Sequence, residues 1–498
     1  MLATAYAQAL LGLDGVPVEV EAHVARGVPS FQIVGLPDRA VMEARERVRS
    51  GIVAAELEFP LRRVTISLAP GSLRKLGARF DLAIAVALLA ATGQVPVDRV
   101  ARVLCLGELA LDARVRPVPG ALLAAETARA CGLESILCAR ASAGEAALLE
   151  GVAAIGVEHL AEAVAWLRGE RSIEPARPPS PLPGARDVGG DLSEVRGQPL
   201  GRRALELAAA GGHALLLVGP PGAGKTMLAR RLPGLLPDLA DAEALEVTRI
   251  HSAVGGFDVQ SGLVRRPPFR APHHGASSAA LVGGGPGPQP GELTRAHRGV
   301  LFLDELGEFS RVALESLRQP LEDGEVVVAR AAGRARFPAA AQLVAAMNPC
   351  PCGGARECIC SREQLDRYRA RLSGPLLDRI DLVVRVAAPD PADMRRDRPE
   401  QSSQVRERVA GARDAQRQRG QAGPNARQSL EQLEAEGVAQ EASDLLERAA
   451  ARLGLSGRAQ VRALRVARTV ADLAGRAEIG HDDLGEALAF HPRDGVVA

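Results

Sequence analysis

Apolar residues in the first third of the chain follow two periods. Val18, Val20, Ala22 and Val24 are interleaved with polar residues, as are Val64, Ile66 and Leu68, so 18–24 and 62–68 are predicted strands with one buried face. Between them, Pro37–Ala55 carries apolar residues at helical spacing. Residues 1–168 therefore alternate strand-like and helix-like segments. Past Trp166, Pro175, Pro178, Pro179, Pro181 and Pro183 stiffen a stretch unsuited to a packed sheet, and 169–186 is expected to be a linker. From 187 to 388 the pattern returns to repeated strand and helix, as for a parallel sheet that binds ligand at its strand ends. Ala214–Val218, Val300–Leu303 and Gln342–Met347 read as its short buried strands. Glu325–Phe337 reads as a hairpin, with a β-branched run, a glycine turn and a returning strand. Residues 389–498 are helical in pattern, rich in Arg, Gln and Glu, and expected to form a separate bundle.

Composition narrows the function classes. A chain of 498 residues has room for about two to four domains. Its formal net charge of +1 gives no global basic field, so any nucleic-acid contact must come from a local patch. Aromatic residues make up 2%, which argues against a surface built on base stacking. Seven cysteines in a chain this long do not resemble a secreted disulfide scaffold. The N-terminus has no cationic segment followed by a signal-like apolar core, and the longest apolar run, Leu82–Ala91, is too short to span a bilayer. A cytoplasmic protein without membrane contact is expected.

Of 61 basic side chains, only Lys75 and Lys225 are lysines. Lys225 lies in Gly219-Pro220-Pro221-Gly222-Ala223-Gly224-Lys225-Thr226, between the strand Ala214–Val218 and a helix opening at Met227–Leu232. Strand, glycine loop and helix in that order form a phosphate cradle: backbone N–H groups approach the phosphates, a slim ammonium reaches the β and γ oxygens, and the Thr226 hydroxyl helps hold Mg²⁺. Val300–Leu303 ends in Asp304 and Glu305, placing two acids at the sheet's carboxyl edge. Asp304 is positioned to hold Mg²⁺ through water, and Glu305 to polarise the attacking water as general base. Asn348, at the tip of the strand Gln342–Met347, either orients that water and contacts the γ-phosphate or simply turns the chain before Pro349.

Cys350, Cys352, Cys358 and Cys360 form C-x-C-x₅-C-x-C. Four thiolates in one short loop suffice for a tetrahedral, structural Zn²⁺ site, with free thiols as the alternative. Cys105, Cys131 and Cys138 lie in apolar contexts and are expected in the core. His273 and His274 are adjacent, an arrangement poor for chelating one ion, so plain structural hydrogen bonding is expected of them. No histidine is assigned to a metal.

Gly219–Thr226, Val300–Glu305 and Asn348 resemble the Walker A, Walker B and sensor 1 motifs of AAA+ ATPases. Ala208–His213, Pro268–His274, Pro290–Leu293, Leu317–Glu322 and Asn348–Gly353 resemble the magnesium-chelatase-like branch, in particular the ComM/YifB family, over essentially the whole chain. The resemblance implies an α/β fold with an AAA+ P-loop ATPase core at 187–388 and a C-terminal helical lid at 389–498. It implies a ring, usually a hexamer, promoted by nucleotide, with each active site shared between neighbours. Arg379, in Leu376–Leu382, matches the arginine that reaches into the adjacent site, unless it only pairs with Asp378 or Asp381. Arg458 resembles the sensor-2 arginine that folds from the lid onto the γ-phosphate, with Arg462 and Arg465 on the same helix.

Val64–Pro70, Gly77–Leu82, Gly107–Leu109 and Val118–Gly120 resemble the Lon-protease-like domain of ribosomal-protein-S5 type, an α+β fold assigned to 1–168. The position matching its nucleophile is Arg79, and Gly120–Ala124 has no lysine where the dyad needs one. Ser72 and Lys75 do not match the dyad, so a binding or ring-stabilising role is expected rather than proteolysis. In the resembling families a hairpin before sensor 1 projects into the pore. Arg330, Arg334 and Arg336 near the tip of Glu325–Phe337 would then form a basic collar suited to DNA phosphates, or be a solvated face. The loop Leu281–Gly285 could also face the pore, and it lacks the aromatic residue with which unfolding rings grip peptide. The family likeness implies an ATP-driven DNA helicase or branch-migration motor, as in natural transformation. A protein-remodelling ATPase like the magnesium chelatase motor and a nucleotide-gated scaffold with negligible turnover are the alternatives.

Overall fold

The computed structural model describes residues 1–491 apart from 180–188, 258–261, 285–287, 331–332, 355–357, 372–373, 389 and 422. Two sheets organise it. The first has seven strands in the order Ser30–Val34, Arg63–Ala69, Asp14–Ala25, Leu2–Leu11, Val103–Leu106, Ser135–Ala139, Ala153–Val157. Leu2–Leu11 and Asp14–Ala25 pair antiparallel from Leu11↔Asp14 outward. Beyond Leu2–Leu11 the sheet continues in parallel. The alternation at 18–24 and 64–68 puts Val18, Val20, Val64, Ile66 and Leu68 in one core. The apolar run 82–91 becomes the helix Asp81–Ala91, buried along its whole length. A helix with no polar face can sit only inside a core. Asp81 in its first turn accepts from Arg47 at 2.6 and 3.0 Å and from the Leu109 amide. Desolvation outweighs these bonds and raises its carboxyl to about 6.

The second sheet has five strands, Phe269–Arg270, Val300–Leu303, Gln342–Met347, Leu215–Val218 and Leu382–Arg385, all parallel. Leu215 and Leu217 face one core, Leu216 and Val218 the other, as expected of a sheet covered on both sides. Parallel pairing in register (Val218↔Met347, Leu303↔Ala345) brings the residues after three strands, Gly219, Asp304 and Asn348, to one edge. Helices Pro199–Gly211 and Lys225–Leu235 cover one face together with Ser402–Gln418 and Gly457–Leu473.

The two sheets' units touch through specific groups. Leu13, in the turn between the first two strands, joins the core beneath the hairpin Glu325–Arg330/Gly333–Pro338. Gly12 has no room for a side chain: a Cβ there would stand 2.7 Å from that of Ala335. Arg249 pairs with Glu126 at 3.0 Å, and the Ser252 hydroxyl donates to buried Glu145 at 2.5 Å. The expected linker begins as chain without helix or strand, although the Ala176 amide bonds the Ala154 carbonyl at the sheet edge. The rest of it, 180–186, and the position of the expected boundary at 389 lie outside the described residues.

Candidate active site

The strand Leu215–Val218 ends at Gly219, where a Cβ would meet the Val386 carbonyl oxygen at 2.0 Å. Only glycine lets the chain pass there. Gly222 and Gly224 take φ of 78° and 91°, and the helix opens at Lys225. Lys225 Nζ donates to the carbonyls of Gly219 (2.7 Å) and Pro220 (2.9 Å) and to Asn348 Oδ1 (3.1 Å). Burial lowers its pKa, opposed by Asp304 and Glu305, so both acids act on this ammonium. The Thr226 hydroxyl donates to Asp304 Oδ2 at 2.7 Å. A hydroxyl and a carboxylate oxygen converging beside a glycine cradle are hard donors that fit Mg²⁺. Gln198, not singled out in the sequence, bonds the carbonyls of Ala223 and Ala387 and so ties the cradle to the strand Leu382–Arg385.

Glu305 adopts a left-handed backbone, φ 53°, uncommon for a non-glycine residue. Its carboxylate lies 2.9 Å from His274 Nδ1, and the His274 ring packs on His273 at 4.0 Å between centroids. The His273–His274 loop follows the edge strand Phe269–Arg270, which pairs with the Val300–Leu303 strand. This partnership was missed in the sequence: the strand neighbourhood that creates it spans thirty residues, and no local pattern marks it.

Arg379 and Arg458 stand elsewhere. They line a cavity of about 770 Å³ with Arg318, Arg427, Arg462 and Arg465. Its floor is made by Ala214, Gln342 and Asp381, all at the amino ends of their strands, so the cavity opens at the edge opposite the cradle. Arg458 therefore stands away from the Gly219–Thr226 cradle of its own chain. Its helix, Gly457–Leu473, packs on Pro199–Gly211, which leads into the amino end of the strand Leu215–Val218. Arg379 pairs with Glu322, not with Asp378 or Asp381. Arg462, buried, donates to the Asp378 carbonyl, joining this helix to the Arg379 turn.

The hairpin is two-faced. Val326, Val328, Ala335 and Phe337 are buried, while Arg334 and Arg336 are exposed on the other face. Arg336 lies 3.9 Å from Glu325. The side chain of Arg330 and the tip at 331–332 lie outside the described residues, as does Gly285 of the second loop.

The four cysteines come together: their sulfurs lie within 4.8 Å of one another, Cys350 to Cys352 at 3.2 Å and Cys352 to Cys358 at 3.9 Å. Backbone N–H groups of Gly354 and Ile359 lower the Cys352 thiol to about 6. Desolvation and the neighbouring thiols push Cys350 up to about 12. Cys105 and Cys138 are buried, whereas Cys131 is exposed and not in the core as expected. In the first unit, Arg79 reaches the Pro119 carbonyl at 3.3 Å and Gln8 Oε1 at 3.5 Å, beside Gly120, where the helix Ala121–Ala130 starts. Burial lowers its pKa to about 10. Lys75 is buried and donates to the Pro70 carbonyl.

Among the described residues no helix is long and apolar enough to cross a membrane. Family models of magnesium chelatase subunit ChlI match 191–394, of subunit ChlI of Mg-chelatase 20–142, and of the ChlI C-terminal region 399–491. The chain is 43% identical to the uncharacterized protein YifB of Escherichia coli over 503 residues, covering 99% of this chain and 97% of that one. It is 42% identical to the competence protein ComM of Haemophilus influenzae over 503 residues, 98% and 97% of the two chains. A shorter match of 146 residues, 32% identical, covers 27% of this chain and 26% of Lon protease 2 of Bacillus subtilis.

Proposed function

The chain belongs to the ComM/YifB family of magnesium-chelatase-like AAA+ ATPases, and from that premise we propose that it is an ATP-hydrolysing ring motor acting on DNA. The supporting observation is a division of labour. Lys225, Thr226, Asp304 and Asn348 converge at one edge of the sheet, and Arg379 and Arg458 gather at the other. Two arginines that cannot reach their own cradle suit the cradle of a neighbour, which calls for a closed ring of identical subunits.

In this reading Gly219–Thr226 holds the triphosphate, and Lys225 exchanges its carbonyl partners for the β and γ oxygens. Mg²⁺, when bound between Thr226 and Asp304, supplies charge neutralisation at the phosphates. Glu305 accepts a proton from the attacking water, and Asn348 orients that water. Arg379 of one subunit stabilises charge in the next subunit's site, a contribution of about 10³–10⁵ in rate. Arg458 does the same from the helical lid, 389–498. Four thiols with no open position suit a structural zinc ion at Cys350, Cys352, Cys358 and Cys360. A cysteine cluster that holds a metal fits a cytoplasmic protein.

Residues 1–168 are a Lon-protease-like domain without proteolytic activity. Arg79 occupies the nucleophile's place, and no lysine stands in Gly120–Ala124. Packed against the hairpin through Gly12 and Leu13, the domain stiffens the base of the segment that meets DNA. Arg330, Arg334 and Arg336 contact phosphates from the ring's pore.

The matched chelatase models favour one second reading, a motor that remodels a protein partner. ATPase rates with and without branched or single-stranded DNA separate the two. Stimulation by DNA that disappears in Arg330/Arg334/Arg336→Ala supports the DNA motor. Turnover indifferent to DNA but raised by a protein partner transfers the assignment to remodelling.

A further inference from the structure

Residues 348–354 and 358–371 form a clasp that meets the candidate nucleotide site at several points. It leaves the sheet at Asn348, whose side chain bonds Lys225. It then turns back through Cys350–Gly354, with Gly353 and Gly354 at φ 87° and 61°. Gly353 comes close to the cradle: a Cβ there would stand 3.0 Å from the Pro221 ring. The chain returns through the helix Arg362–Arg369, from which Tyr368 donates to the Asn348 carbonyl at 3.1 Å. The Tyr368 ring also packs so closely on Gly307 that no side chain fits there. Arg371 ends the circuit, bonding the Gly307 carbonyl at 2.8 Å and Glu308 at 3.0 Å, just past Asp304–Glu305.

One segment thus touches the glycine cradle, the Asn348 tip and the exit of the acidic strand. Within it the four cysteine sulfurs gather into one cluster. A tetrahedral site with metal–sulfur distances of about 2.3 Å needs sulfurs about 3.8 Å apart. Sulfurs all within 4.8 Å of one another are close to that arrangement. The donor set, four thiolates, selects a soft or borderline divalent ion of the zinc class over Mg²⁺ or Ca²⁺.

We propose that a zinc-class ion held by Cys350, Cys352, Cys358 and Cys360 closes this clasp, and that its presence sets the affinity of the Gly219–Thr226 cradle for nucleotide. The ion pins Gly353 against Pro221 and holds Asn348 at bonding distance from Lys225. Without it, the segment loses this cross-link, and both contacts loosen. The inference rests on the cradle being the nucleotide site but not on DNA being the substrate.

The test uses the full-length protein, purified without chelator. Metal analysis is expected to find about one zinc per chain, and Co²⁺ exchange to give the visible bands of a tetrahedral thiolate site. Removing the metal with a thiol-site chelator, with Mg²⁺ restored, is expected to weaken binding of a fluorescent ATP analogue about tenfold or more, and re-adding zinc to recover it. Cys352→Ser is expected to lose metal and affinity together, whereas Cys131→Ser, altering an exposed thiol in the other unit, keeps both. Chelation keeps the question answerable if Cys352→Ser does not fold. Less than about 0.2 zinc per chain overturns the proposal, because a structural thiolate site binds tightly. Equal nucleotide affinity with and without metal overturns it too, while leaving the ATPase reading intact. Zinc-loaded protein that binds no nucleotide defeats both.

Discussion

His274 Nδ1 lies 2.9 Å from the carboxylate of Glu305. Glu305 is also one of five non-glycine residues with positive φ among the described residues, a conformation that costs roughly 1–2 kcal/mol. The histidine thus helps hold an acid that its own backbone does not favour in this orientation. His274→Ala is expected to lower kcat for ATP roughly 3- to 30-fold, since misplacing a catalytic group by an ångström costs up to about 10²-fold. The ATP dissociation constant should not change, because His274 touches the acid and not the cradle. Steady-state kinetics with a separate binding titration check this. Weakened binding at unchanged kcat would refute the positioning role.

Arg379 and Arg458 stand away from their own cradle, so if the proposed ring shares each site between neighbours, their loss should be complemented by mixing subunits. Arg379→Ala alone is expected to reduce turnover by about 10³-fold or more. Mixing it with Lys225→Ala, itself inactive, should restore measurable activity, since some cradles then keep both an intact lysine and an intact neighbouring arginine. Absence of any recovery across mixing ratios would contradict a shared site.

On the hairpin, Arg334 and Arg336 present guanidinium groups on the solvent face. If they meet phosphates, Arg334→Ala and Arg336→Ala should weaken DNA binding about equally for all sequences. Each should also reduce the slope of log affinity against log salt by roughly one per subunit contact. Binding isotherms at several salt concentrations provide the check, and an unchanged slope would show that the arginines are merely solvated.

Both lysines of this arginine-dominated chain proved to bond backbone carbonyls, Lys225 those of Gly219 and Pro220, Lys75 that of Pro70. A compact ammonium fits such a pocket where a planar guanidinium would not. That exception was visible in composition alone. The strand tips at Gly219, Asp304 and Asn348 were equally legible, because each follows a short apolar run whose period is local. What escaped depends on contacts far apart in the chain. His274 meets Glu305 only because their strands are neighbours in the sheet. Arg458 lies at the far edge because its helix packs on Pro199–Gly211, and no motif encodes which end of a sheet a lid approaches. The apolar run 82–91 is by its length too short for a membrane, but its role as a wholly buried helix depends on the surrounding strands.

Asp81 adds a pH dependence unrelated to nucleotide. Its carboxyl is raised from 3.8 to about 6, chiefly by burial. The folded state therefore holds this proton more tightly than the unfolded chain. The resulting stabilisation is full below about 3.8 and is lost as pH rises through about 6. Lowering pH from 7 to 5 should stabilise the wild type relative to Asp81→Asn by about 1 kcal/mol. Denaturant melts of both proteins at the two pH values measure it, and parallel changes would contradict it.

The most direct test is ATP turnover by the wild type and Glu305→Gln, with nucleotide binding measured on the same preparations. Glu305→Gln is expected to bind ATP as tightly as the wild type and to hydrolyse it about 10²–10⁴-fold more slowly. Equal turnover in the two proteins, or no ATP binding by either, would contradict hydrolysis at this sheet edge.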